Sequence, residues 1–176
     1  MKVTKNPWNI SYFDRYSFGV LIAIELLMSF TFLGYIHISP ISVTIAYLPI
    51  LVAGCLFGSL QSVIIAFIFG LSSMYKASAS YVMPSDAIFS PFLSGSPISS
   101  LFLSIGIRMI FGLLVGIAFT FVRKRKHYRI WIGVISAIAP KIHSLLVYTT
   151  MGILFPELGY NYTSAFHWNL NNTVFT

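Results

Sequence analysis

Ionisable side chains inside apolar stretches are the residues of this sequence most able to do chemistry. Glu25, Arg108, Lys141 and His143 each interrupt a run of hydrophobic residues. A charged group in a membrane helix costs about 2–3 kcal/mol unless it faces protein or water, so such a residue is by default a candidate functional residue. For Arg108 the pattern favours binding a ligand or pairing with an acid. For Lys141 and His143, binding a ligand and lining a water-filled interior are both open.

The other candidate residues are polar or aromatic and fall in segments that can meet at one end of a helical bundle. These segments are the turn at residues 37–40, the polar stretch at 76–97, and the ends of the apolar runs beside them. A mostly apolar pocket with a few placed polar groups is typical of a small-molecule site. For the aromatic members, ordinary packing is the alternative. The predicted substrate-binding residues are Tyr47, Lys76, Tyr81, Asp86, Phe89, Phe92, Arg108, Lys141, His143 and Tyr148.

The composition identifies an integral membrane protein. The 176 residues are 57% hydrophobic and 9% charged, with a mean hydropathy of +0.83, whereas a soluble domain carries about 25% charged residues. The apolar runs are continuous and do not alternate with polar residues, which favours helices over a β-barrel. We therefore predict an all-α, polytopic membrane helical bundle.

Five apolar runs predict five membrane passes, at residues 17–38, 41–58, 60–75, 98–122 and 130–155. Their lengths lie near or above the lower limit for crossing a hydrocarbon core about 30 Å thick. Pro49, inside the second run, predicts a bent helix. The chain then divides into a lead-in at 1–16, the bundle at 17–155 and a polar tail at 156–176. The segment at 76–97 is predicted to be an ordered loop over the bundle, because its apolar and aromatic content argues against disorder.

The basic residues predict the orientation of the bundle. One cluster lies between the last two runs, and further basic residues flank the first: Arg123, Lys124, Arg125, Lys126 and Arg129, then Lys2, Lys5 and Arg15. This positive-inside pattern predicts a cytoplasmic N-terminus and places the loop at 76–97 outside. The net charge of +7 therefore favours contact with anionic membrane lipids over nucleic acid. The polar start lacks a signal-peptide cleavage site, so the first run is expected to remain in the mature protein.

The sequence carries no enzyme motif. It contains no HExxH, Walker loop or GxSxG, and its four acids are dispersed, so we expect no enzymatic activity. His37, His143 and His167 lack metal-ligand spacing, and Cys55 is a lone cysteine. We therefore expect no metal, no cofactor and no disulfide framework.

Four motifs occur in an order that resembles a known family. They are YLPILVAGCLFG, FGLSS, FSPF and IGIRMIFGLLVGIAF, within residues 17–155. In this order they are similar to the substrate-binding (S) component of energy-coupling factor (ECF) vitamin transporters. The resemblance implies a six-helix protein of the bacterial plasma membrane that captures a vitamin or vitamin precursor from outside. It also implies that the partners are a transmembrane coupling subunit and two ATPase subunits, and that the S component itself hydrolyses nothing.

The resemblance carries over to particular residues. Gly19 and Ala23 stand where the family has an Ala-xxx-Ala stripe that contacts the coupling subunit. Residues 76–97 match the loop that closes the family's pocket, and Arg108 matches the Arg of the fourth-helix motif. His143 and Ser144 stand where related members often have Asn-Thr, which changes the expected ligand. The family's sixth helix is not visible before residue 176, so the tail is interpreted as the lead-in to a missing sixth helix.

Three alternatives remain open from the sequence. One is the N-terminal membrane sensor module of a signalling protein, in which the missing sixth pass would lead into a cytoplasmic output domain. Another is a membrane anchor or assembly subunit with no ligand. An enzyme of lipid or cell-wall chemistry is the least favoured, because carboxylates and histidines are scarce.

Overall fold

The computed structural model describes residues 12–31, 35–38, 41–79 and 84–156. This part of the chain forms a helical bundle, as predicted, with five helical segments in the expected order. Three of them are long and apolar enough to cross a membrane: Ser59–Ala79, Pro97–Val122 and Tyr128–Leu154. The predicted membrane helical bundle is therefore confirmed, while two of the five predicted passes differ in extent.

The first predicted pass is shorter than its apolar run. Helix α1 spans Tyr12–Phe30, and two short strands follow, β1 at Tyr35–Ile38 and β2 at Ile41–Thr44. They pair antiparallel with Tyr35 opposite Thr44. The prediction that helix continues to Ile38 is wrong. Because β-branched Ile, Val and Thr residues are concentrated in these strands and suit a pleated strand, they favour the hairpin locally.

The second predicted pass is not a full crossing. Helix α2 covers only Leu48–Leu56, nine residues, or about 14 Å at 1.5 Å per residue. Pro49 lies in its first turn, where the missing N–H has no intrahelical partner to lose, so it starts the helix instead of bending it. The helix ends at Leu56, and in the turn that follows Gly58 has a φ of +116°, in the left-handed region that glycine adopts readily.

Helix α3, Ser59–Ala79, packs closely against the long helical rod that follows the loop. This rod consists of α4 at Pro97–Leu101, a π-helical segment at Phe102–Gly106 and α5 at Ile107–Val122. Small residues determine how closely α3 and this rod approach each other. A Cβ added to Gly116 would lie 2.3 Å from the Cα of Ser59, and one added to Gly70 would lie 2.9 Å from the backbone of Ser104 and Ile105. Glycine thus lets the two backbones touch, as small residues do in membrane bundles.

The loop between α3 and α4 folds back on the bundle. It contains a 3₁₀ helix, Pro84–Phe89, and serine hydroxyls hold it in place. Ser100 Oγ donates to the Ile88 carbonyl and Ser104 Oγ to the Phe89 carbonyl, each at 2.6 Å. The loop starts later than predicted, because α3 continues through Ala79.

The last helix, α6, spans Tyr128–Leu154 and packs on one side only. Only 11% of its most apolar window is buried, against 44% for α3. At the start of the bundle the ring of Phe18 lies 5.7 Å from that of Phe57. Arg123, at the end of α5, donates to the carbonyls of Gly54 and Cys55. The start of α1, the α2–α3 turn and the basic connection between α5 and α6 therefore share one end of the bundle, and the 84–96 loop covers the other.

Candidate functional site

Arg108 is the cation at the centre of the site. It is the second residue of α5 and only 5% exposed, and hydrogen bonds hold its guanidinium in place. Nη1 donates to the carbonyls of Ser104 at 2.7 Å and Leu103 at 3.3 Å, and Nη2 donates to Ser73 Oγ at 2.8 Å. Both carbonyls belong to the π-helical segment, and interruptions of this kind are frequent at functional sites. The segment therefore helps to fix a charge inside the bundle.

Two aromatic rings flank the same guanidinium. Its carbon lies 4.7 Å from the centre of the Phe69 ring and 5.4 Å from that of Phe89. A cation over an aromatic face at this distance is attracted by the negative face of the ring. Phe69 comes from α3 and Phe89 from the loop, so Arg108 links the bundle interior to the loop that covers it.

Glu25, on α1, is fully buried in the same region. Ser29 Oγ, one turn further along α1, donates to Glu25 Oε1 at 3.0 Å. Glu25 Oε2 has no hydrogen-bond partner within the described part of the chain. Arg108 is near enough to act electrostatically on this carboxyl, and we therefore consider the acid of α1 together with the base of α5.

His143, on α6, completes the group. It is 7% exposed, and the centre of its ring lies 5.0 Å from that of Phe111, edge to face, and 6.2 Å from that of Phe69. The ring of Tyr47 lies 6.5 Å away on another side. His143 also feels the charge of Arg108, and its Nε2 has no partner among the residues that the structure describes.

These residues form what we call the interior polar cluster: Glu25, Ser29, Ser73, Arg108 and His143. Its members come from α1, α3, α5 and α6, and Phe69, Phe89, Phe111 and Tyr47 lie around it. The cluster offers a carboxyl oxygen and an imidazole nitrogen that form no hydrogen bond within the described ranges, together with a fixed cation. Buried polar atoms without partners are costly, and a bound polar molecule is one way to satisfy them.

The structure brings together four of the ten predicted substrate-binding residues: Tyr47, Phe89, Arg108 and His143. Two others do not join them, because Phe92 is 84% exposed and Lys141 is exposed on α6. Lys76 and Tyr148 are half-buried. Tyr81 and the side chain of Asp86 lie outside the described residues. Gly19 and Ala23, predicted to dock a partner, are exposed on α1.

Sequence reasoning noted Glu25 as an intramembrane acid but did not place it in the site, and it missed Ser29, Ser73, Phe69 and Phe111. For Ser29 a signal existed, since a hydroxyl four residues after an acid lies on the same helix face. For Ser73 and the two phenylalanines there was none, because they resemble any other residue of an apolar helix. Among the described residues no group of three or more His, Cys, Asp or Glu side chains is placed to hold a metal ion.

Comparison with protein families decides what kind of protein this is. The family model described as ECF transporter, substrate-specific component, matches residues 17–174. The chain belongs to this family. Comparison with curated proteins gave no match. The protein is thus an S component, a membrane protein of a transporter that works with a substrate ligand and an ECF module.

Membership gives the interior polar cluster a context. In an S component, the buried cation, acid and imidazole contributed by three different helices lie in a protein that handles a substrate. The match also covers α1, where Gly19 and Ala23 are exposed, and the loop that carries Phe89. Family membership supports transport over the sensor-module alternative.

Proposed function

We propose that this S component binds a vitamin or vitamin precursor at the outer face of the bacterial plasma membrane, for ATP-driven uptake. The observation that carries the proposal is the interior polar cluster, in which Glu25 Oε2 and His143 Nε2 are buried without a hydrogen-bond partner among the described residues, within electrostatic reach of the Arg108 guanidinium. An interior polar group of this kind in a membrane protein is a functional site by default.

The environment of the cluster suits a small, flat, water-soluble molecule. The rings of Phe69 and Phe111 lie beside His143, and Phe89 lies over Arg108 from the covering loop. Aromatic surface with a few fixed polar groups orients such a ligand and excludes water. The loop at residues 84–96 lies over the cluster, at the end opposite the basic connection, which the positive-inside pattern assigns to the cytoplasm. The ligand would therefore enter from outside.

The S component would perform no covalent chemistry and would depend on partners for energy. In this proposal, α1 docks on a transmembrane coupling subunit through Gly19 and Ala23, and two ATPase subunits drive the complex. Both residues are exposed, and a Cβ added to Gly19 would meet nothing within 4 Å. The surface is therefore open for close approach of another helix.

Thermal unfolding of the purified protein in detergent, with a panel of B vitamins and their precursors, tests the binding proposal. A ligand at 100 times its dissociation constant adds about 2.7 kcal/mol to the free energy of unfolding, which raises the melting temperature visibly. Arg108→Gln should abolish that shift, whereas Gly133→Ala, at an open position on α6, should retain it. A folded protein with no response to the whole panel would contradict the vitamin assignment. A shift that survives Arg108→Gln would remove the cluster from the site.

A further inference from the structure

The connection between α5 and α6 carries a dense group of exposed cations at the end of the bundle away from the interior polar cluster. Lys124, Arg125, Lys126 and Arg129 are all exposed. The sequence from residue 87 to residue 156 contains no Asp or Glu, so neither flanking helix supplies an acid to neutralise them. The group therefore presents a positive surface that α5 and α6 do not neutralise.

Arg123 differs from these cations, because it fixes the connection to the bundle. Its Nη2 donates to the carbonyls of Gly54 and Cys55 in the last turn of α2. Carbonyls at a helix C-terminus lack intrahelical partners and carry partial negative charge, so they attract a guanidinium. With Arg123 bound in this way, the connection has a fixed position, and the four exposed cations stay at the surface.

Aromatic and aliphatic residues adjoin the same cations. Tyr128 is 41% exposed, Trp131 50% and Ile130 67%. The guanidinium carbon of Arg129 lies 5.9 Å from the centre of the Tyr128 ring. Lys126, His127, Tyr128, Arg129 and Ile130 line an open cleft of about 320 Å³. The cations can bind a phosphate, and Tyr and Trp lie next to them at the start of a membrane helix. This combination of residues is typical of a membrane–water interface.

We propose that this cleft binds the headgroup of an anionic phospholipid in the leaflet that faces the cytoplasm. Lys124, Arg125, Lys126 and Arg129 would contact the phosphate, and Tyr128, Ile130 and Trp131 would lie against the upper part of the acyl chains. A lipid bound there would contact both α5 and α6. It would also cover part of α6, which is little buried in the bundle. The choice of lipid over a protein partner rests on the apolar rim, which continues directly into the exposed apolar face of α6.

The test is a titration of the full-length protein in detergent with phosphatidylglycerol or phosphatidylcholine, and native mass spectrometry counts the bound lipid. Each Lys or Arg near an anionic surface contributes about fivefold in affinity at low salt, so Lys124→Gln with Lys126→Gln should weaken phosphatidylglycerol binding on the order of 30-fold. Phosphatidylcholine binding should not change. Higher ionic strength should weaken the phosphatidylglycerol interaction.

A pair of single variants provides the matched control. Lys126→Gln alone should weaken phosphatidylglycerol binding about fivefold, whereas Lys141→Gln removes the same charge from an exposed position further along α6 and should leave the affinity close to that of the unsubstituted protein. Equal losses in the two single variants would mean diffuse attraction and would overturn the site. Displacement of the lipid by millimolar inorganic phosphate would also overturn it, in favour of a free-anion site. Unchanged lipid binding with lost association to the ECF module would assign the surface to a protein partner instead.

Discussion

The guanidinium carbon of Arg108 lies 4.7 Å from the centre of the Phe69 ring, so a cation of α5 rests on an aromatic face of α3 inside the bundle. The same ring lies 6.2 Å from His143 of α6. Phe69 is fully buried and thus adjoins two of the three ionisable members of the interior polar cluster. The aromatic residue is as much a part of the site as the ionisable ones.

Phe69→Leu should therefore destabilise the protein more than a loss of ring packing alone. We expect about 1–3 kcal/mol, from the packing defect together with the lost attraction between cation and ring. Phe121→Leu is the control, because Phe121 on α5 is 67% exposed and should change the unfolding free energy by less than about 0.5 kcal/mol. Unfolding midpoints in detergent measure both, and equal effects would show that Phe69 contributes no more than exposed apolar surface.

Gly116→Ala should be one of the costliest single-methyl additions in the chain. The new Cβ would lie 2.3 Å from the Cα of Ser59, so α3 and α5 would have to separate, at a cost of about 1–3 kcal/mol. Gly133→Ala, where nothing lies within 4 Å, should be neutral or slightly stabilising, because alanine favours the helix by up to about 1 kcal/mol over glycine. Thermal unfolding of the two variants side by side gives the comparison, and a Gly116→Ala protein as stable as Gly133→Ala would contradict the close packing.

Ser29→Ala should expose the dependence of Glu25 on its single described hydrogen bond. Without the Ser29 hydroxyl, Oε1 loses the bond at 3.0 Å, and a buried polar group without its partner costs about 1–3 kcal/mol. Thr120→Ala removes a hydroxyl that bonds the Gly116 carbonyl at 2.8 Å on an exposed residue and should have little effect. Glu25→Leu in the Ser29→Ala background should recover part of the loss, because removing the buried carboxyl as well leaves no polar group there without its partner. The free energies of unfolding of the three variants test this prediction. A Ser29→Ala loss no larger than that of Thr120→Ala would contradict a stabilising role for the hydrogen bond between Ser29 and Glu25.

Arg123→Gln should loosen the contact between α2 and α5. The guanidinium bonds two carbonyls of α2, and the loss of charged hydrogen bonds at an exposed position should cost about 1–2 kcal/mol. Arg125→Gln removes an equal charge from the same exposed connection and should cost less than about 0.5 kcal/mol. Melting temperatures measured in one detergent discriminate the two, and equal shifts would mean that charge alone, and not the α2 contact, is responsible.

Gly19→Leu should weaken association with the ECF module without changing ligand-induced stabilisation. The larger side chain would stand on an exposed face of α1 where the backbone is now open to a partner, and close helix approach in membranes needs small residues. Gly133→Leu places the same side chain at an equally open position on α6 and should leave association intact. Co-purification with the ECF module measures the difference, and equal recovery of the module with both variants would remove α1 from the docking surface.

The sequence predicted the features that depend on composition and on the order of elements along the chain. Continuous apolar runs with few charges favour helices in a membrane, because a helix bonds its backbone groups within the segment. The three long helices and the family assignment follow from that pattern and from four short motifs. Arg108 and His143 stood out for the same reason, since an ionisable residue is conspicuous in an apolar run.

Segment length was less predictable, because hydrophobicity does not distinguish a crossing from a buried half-helix. Residues 41–58 are as apolar as a span, yet they divide into a strand and the nine-residue α2. Burial against α3 and α5 satisfies such a segment as well as lipid does. The β-branched strand and Pro49 in a first turn interrupt the run locally. They divide it into a strand and a short helix only because neighbouring helices cover the segment.

Which residues lie together in the site was decided by the tertiary structure. Glu25, Ser73, Arg108 and His143 belong to four different helices, and no spacing along the chain shows that their side chains meet. Their meeting depends on rotation and depth, which are set by the glycine contacts of α3 with α5 and by the π-helical segment before Arg108. The sequence determined which residues are costly to place in a membrane. The packed bundle determined which of them lie in one interior region, where neighbouring polar groups lower that cost.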